Sequence, residues 1–82
     1  MTSIHLDIAI QNLGNGSEED NERYRAAVET AISRAYEGAE VSVSLFGDGN
    51  RDRAYVDGFE DEEQTQAAVR GIAQDVFNRG GW

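Results

Sequence analysis

The chain contains no cysteine and no lysine; all seven of its basic residues are arginine. Without cysteine there is neither a disulfide framework nor a thiolate metal site, so 82 residues must hold their fold by packing and helix ends. That length accommodates one domain, residues 1–82, and no second. A single histidine, His5, excludes a two-histidine metal centre. No basic segment precedes a long apolar run, which leads us to expect neither a signal peptide nor a membrane span, and a protein suited to a reducing cytoplasm. The sequon Asn15-Gly16-Ser17 is then incidental.

Sixteen acidic residues against seven basic ones give a formal charge of −9. Such a surface repels phosphates, so direct nucleic-acid binding is not expected. Acidity without lysine also follows from GC-rich coding or from adaptation of a surface to high salt. Net charge alone therefore speaks to solubility and partners and leaves the fold open.

Hydrophobic periodicity supplies the elements. Ser3 to Gln11 alternates, with Ile4, Leu6, Ile8 and Ile10 on one face and His5, Asp7, Ala9 and Gln11 on the other, as a half-buried strand does. Asn12 to Gly16 reads as a turn, after which Ser17 caps a helix whose first turn holds Glu18, Glu19 and Asp20. Tyr24, Val28, Ala31, Ile32 and Ala35 follow at helical spacing, and Gly38 closes the helix. Val41, Val43 and Leu45 mark a second strand, Arg53 to Phe59 a third, and Gly47 to Asn50 a hairpin between them. Asp61 with Gln64 resembles a capping box, and Val69, Ile72, Ala73, Val76 and Phe77 stripe a second helix ending at Gly80. Val28 and Tyr36 repeat as Val69 and Phe77, with the same eight-residue step.

The order β-α-β-β-α predicts an α+β fold: a three-stranded antiparallel sheet with two helices on one face, a ferredoxin-like arrangement without its last strand. In that arrangement the first strand is an open edge, available for pairing. The helices cover Ile4, Leu6, Ile8, Ile10, Val41, Val43, Leu45, Ala54 and Val56. His5, Asp7, Ser42, Ser44, Phe46, Arg53, Tyr55, Asp57 and Phe59 are left on a polar face with aromatic islands.

Candidate chemistry is sparse. Asp48, Asn50 and Asp52 alternate like the first ligands of a calcium loop, but Arg53 stands where the turn glycine belongs and Phe59 where the bidentate glutamate belongs. No metal and no cofactor are expected. Asp7 shares a strand face with His5, yet no serine lies near them in a nucleophile motif. Gly14-Asn15-Gly16 precedes a helix whose acidic first turn repels phosphate. We expect no enzymatic activity and no catalytic residue.

The strongest nonrandom features are two acidic runs, Glu18-Glu19-Asp20 with Glu22, and Glu60-Asp61-Glu62-Glu63, each at a helix start. Complementing a helix dipole requires one or two carboxylates at an end, and here there are four. Glu22, Glu29 and Glu37 continue the negative potential along the first helix, interrupted by Arg25 and Arg34. The expected partner-binding residues are thus Glu18, Glu19, Asp20, Glu22, Glu29, Glu60, Asp61, Glu62 and Glu63, with Phe46, Tyr55 and Phe59 as a second contact face. Following from opposed strands, the two helix starts should form two separate negative poles.

Small size, absence of cysteine, acidity at Glu18 to Glu22 and Glu60 to Glu63 and a compact α+β plan resemble the small phage-encoded inhibitors of bacterial defence, notably anti-CRISPR proteins that act as nucleic-acid mimics. The resemblance is one of character over the whole chain, without a shared motif. It implies a DNA mimic in the host-cell cytoplasm that blocks a basic nucleic-acid channel of a protein partner without chemistry. The alternative expectation is a self-associating structural or adaptor module, or an antitoxin-like partner, using the first-strand edge or the polar sheet face as a homodimer interface.

Overall fold

The structure, a computed structural model, describes residues 2–9, 17–47, 52–80 and 82. Strand β1 (Ser3–Ala9) is followed by helix α1 (Glu18–Ala35), strands β2 (Glu40–Phe46) and β3 (Arg53–Asp57), and helix α2 (Glu62–Arg79). This is the α+β order that the periodicity predicts.

The sheet differs from the expectation in one decisive respect. Its order is β2-β1-β3, with β1 and β2 parallel and β1 and β3 antiparallel. It is a mixed sheet, and the antiparallel, ferredoxin-like order is incorrect. The first strand lies at the centre and offers no edge. Nor do β2 and β3 form a hairpin, since they flank β1 on opposite sides; residues 48–51 between them lie outside the described residues. The physical reason is the helix between β1 and β2, which carries the chain back so that β2 can lie parallel and adjacent, as in an ordinary β-α-β unit.

Backbone directions follow from two bonds. The Glu40 amide donates to the Thr2 carbonyl at 2.9 Å, and the Ala9 amide donates to Asp52 Oδ1 at 2.9 Å. Even-numbered residues of β1 therefore face β2 and odd-numbered ones face β3. By the same alternation Val41, Val43 and Leu45 turn their amides and carbonyls to the free edge of β2.

Both helices lie on one face, α1 over β2 and α2 over β3, in contact with each other. Beneath them Ile4, Leu6, Ile8, Val43 and Ala54 meet Tyr24, Val28 and Ile32 of α1 and Val69 and Ala73 of α2. The paired Val28 and Val69 are fully buried. Assignment of the covered face is as the alternation predicts, except for Ile10, which lies outside the described residues.

Caps behave as their chemistry dictates. Ser17 accepts from the Asp20 amide at 3.1 Å and Asp61 from the Gln64 amide at 3.0 Å. Helix α1 ends at Ala35 with Tyr36 as its cap, earlier than Gly38, whose φ of 88° serves the turn that follows. Strand β3 ends at Asp57 because Gly58, at φ 85°, takes a left-handed conformation. Phe59 is thereby placed against the core with Tyr36, edge to face at 5.6 Å, and not on the open sheet face.

At the other end of the helix pair, the Tyr24 hydroxyl donates to the Ala73 carbonyl at 2.7 Å and its ring packs against Phe77 and Trp82. Trp82 Nε1–H donates to the Val76 carbonyl at 3.1 Å. No helix among the described residues is long and apolar enough to cross a membrane.

Candidate functional site

Since α1 runs antiparallel to α2, the two acidic helix starts stand at opposite ends of the molecule, Tyr24 contacting the end of α2 and Tyr36 its approach. The two poles are not equivalent. On α1, Arg23 pairs with Glu19 at 2.6 Å and approaches Asp20 at 3.7 Å, while Arg25 pairs with Glu22 at 2.6 Å and approaches Glu29 at 3.6 Å. At the end of α2 that lies beside this pole, Arg79 pairs with Asp75 at 2.9 Å. Of the α1 carboxylates, Glu18 alone is in no ion pair among the described residues.

The α2 start is different. Glu60, Asp61, Glu62 and Glu63 are all exposed, and none is in an ion pair among the described residues. Topology adds three carboxylates that the sequence did not assign to this end: Glu37 after α1, Glu40 opening β2 and Asp57 closing β3. The register joins Glu40 and Asp57 to the two sides of Ser3. Arg34, in the last turn of α1, is the nearest arginine by position and makes no ion pair among the described residues. Uncompensated negative charge is thus gathered at one pole.

Arg25 has a second task. Its Nη1 donates to the Val43 carbonyl at 3.2 Å, one of the groups that β2 turns to its free edge, while Nε and Nη2 grip Glu22. Those bonds hold the Glu22 carboxyl below its ordinary value and raise the guanidinium. The edge is guarded by a charged side chain reaching down from the helix.

On the open sheet face the register sets His5 beside Ser42 on one side and Tyr55 on the other. Ser42 Oγ lies 2.6 Å from His5 Nδ1, and His5 Nε2 lies 2.6 Å from Asp7 Oδ1. Asp7 as a carboxylate only accepts, so Nε2 donates to it. Sequence reading missed this trio because Ser42 is 37 residues from His5; only the parallel register brings them together. Its connectivity is that of a nucleophile, base and orienting acid. Acyl transfer also needs donors aimed at a developing oxyanion. Here the Ser42 amide is turned toward β1 in the ladder and the Val43 amide points along the sheet plane to the edge, so neither faces the space in front of Ser42 Oγ.

Of the second contact face, Tyr55 is 50% exposed, and Phe46 lies under Arg53, whose Cζ is 5.8 Å from the ring centroid. Phe59 belongs to the core side, as above. Among the described residues no group of three or more histidines and carboxylates is placed to hold a metal ion. Asp48 and Asn50 lie outside the described residues, and Asp52 is engaged with the Ala9 amide.

Hollows border the unpaired pole. One, of about 490 Å³, is lined on the open face by Ser3, His5, Glu40, Ser42, Tyr55 and Asp57. Another, of about 410 Å³, has Tyr36 and Phe59 beside Glu60 and Asp61. Compared with protein-family models, with curated proteins and with solved structures, the chain matches none.

Proposed function

We propose that this chain is a non-catalytic acidic protein-binding module that seats its carboxylate pole on a basic, nucleic-acid-binding surface of a partner and keeps nucleic acid from it. The mode is that of the nucleic-acid mimics of the anti-CRISPR type. The observation that carries the reading is the pole at the start of α2, where Glu60 to Glu63 are exposed without an ion pair among the described residues while Arg23 and Arg25 offset part of the charge of the α1 carboxylates. Matched charges contribute little field at a distance, whereas unmatched carboxylates steer a basic partner and compete with phosphates. The earlier expectation that both acidic runs contribute alike is therefore narrowed to one of them.

Self-association finds less support. Its first route, the β1 edge, is occupied on both sides, and the β2 edge carries the Arg25 guard. The test is binding to a basic nucleic-acid-handling protein at increasing salt, with DNA as competitor. Charge reversal at Glu62 and Glu63 should weaken binding by about tenfold or more, and reversal at Glu18 and Glu19 by less. Binding that ignores salt, DNA and the Glu62 and Glu63 reversals would sink the reading.

A further inference from the structure

We propose that the hollow on the open sheet face at the acidic pole is a binding site for a guanidinium group, and that it takes an arginine side chain of the basic partner. The inference rests on the proposed function for the partner's charge and adds the chemistry of the inserted group.

Two adjacent rows of the sheet build the site. In the first, Ser3 lies between Glu40 and Asp57; in the second, His5 lies between Ser42 and Tyr55. Neighbouring strands are about 4.8 Å apart, so the two carboxylate-bearing strands stand about 10 Å from each other across a small serine. The space between is concave, about 490 Å³ with the second row included. Neither Glu40 nor Asp57 is in an ion pair among the described residues.

Tyr55 supplies the second half of the recognition. Its ring, half exposed, stands on the same strand face as Asp57 two residues away, and both residues line the hollow. The ring is backed by His5, 6.1 Å centroid to centroid, and His5 is fixed by Ser42 and Asp7. A planar cation that stacks on an aromatic ring while donating in its own plane to a carboxylate is a guanidinium. An ammonium offers a point charge with no plane to stack. The trio thus fixes the imidazole beside which Tyr55 stands.

The site can be tested apart from the pole. Fluorescence anisotropy of labelled nona-arginine and nona-lysine peptides is measured against the full chain and three variants: Tyr55→Leu, Glu40→Gln with Asp57→Asn, and Glu62→Gln with Glu63→Gln. The expected result is tighter binding of nona-arginine than of nona-lysine, with Tyr55→Leu weakening nona-arginine by about threefold to fivefold and removing the preference. The paired Glu40 and Asp57 change should weaken it by about tenfold. Titration of the unaltered protein with the dipeptide acetyl-Gly-Arg-amide, followed by NMR, should move the Tyr55 ring resonances and the amides of Ser3 and Ser42, a readout that needs no variant to fold. If the groove variants bind nona-arginine as the parent does while the Glu62 and Glu63 variant loses it, the guanidinium site is wrong and the acidic-pole reading stands. Failure of the parent to bind either peptide overturns both.

Discussion

Tyr24 shows how one side chain couples sequence to stability. It is 3% exposed, its hydroxyl is held by the Ala73 carbonyl, and its ring joins the two helices through Phe77 and Trp82. Burial, assisted by the Asp52 charge, pushes its pKa from 10.0 up to about 12. A group whose folded value is raised stabilises the fold fully below its unfolded value and loses that contribution as pH climbs through the folded value. Stability measured by urea unfolding should accordingly decline between pH 10 and about 12, and Tyr24→Phe should remove the part of that decline due to this residue. At neutral pH the same substitution should cost about 1 kcal/mol through the lost hydrogen bond. Leu6, with no exposed surface on the central strand, should be costlier: Leu6→Ala is expected to destabilise by about 2–5 kcal/mol in the same assay.

Among the elements, strand identity was legible and strand neighbourhood was not. Alternation at Ile4, Leu6, Ile8, Val41, Val43, Ala54 and Val56 tells which side of each strand meets the helices, and caps at Ser17 and Asp61 tell where the helices begin. Every one of those residues keeps its side of the sheet whether the order is 1-3-2 or 2-1-3, so parity cannot choose between them. The same blindness hid Ser42 from His5, because that meeting depends on register across strands. Phe59 was misplaced for a local reason: its alternation continues the strand on paper, while Gly58 turns the chain. The guard on β2 yields a prediction at this scale. Arg25→Ala frees the Val43 carbonyl and removes the guanidinium that reaches the edge of the seven-residue strand. The variant should form a concentration-dependent dimer by sedimentation, whereas the parent should stay monomeric over the same range.

For the molecule as a whole, a formal charge of −9 is spread over both ends, but Arg23 and Arg25 offset two of the carboxylates of α1 whereas Glu60 to Glu63 are in no ion pair among the described residues. Such a body is oriented as it approaches a basic surface, and the pole at α2 leads. Association rates with a basic partner should fall steeply with ionic strength in stopped-flow measurements. Glu60→Gln with Glu62→Gln and Glu63→Gln should flatten that slope, while the matched pair Glu19→Gln with Arg23→Gln should leave it nearly unchanged.

The central position of β1 also bears on how the chain reaches this state. Ser3 pairs with Glu40 on one side and with Asp57 on the other, so the strand made before the other two is the last to have both its neighbours. Its apolar row of Ile4, Leu6 and Ile8 has no cover until both helices have been made. Acquisition of the fold is consequently a late and collective event, governed by long sequence separations and slow relative to a helical bundle of this length. Until then the nascent chain carries an unpaired, hydrophobic, proline-free strand, and like charge along the rest of the sequence disfavours contact between such chains.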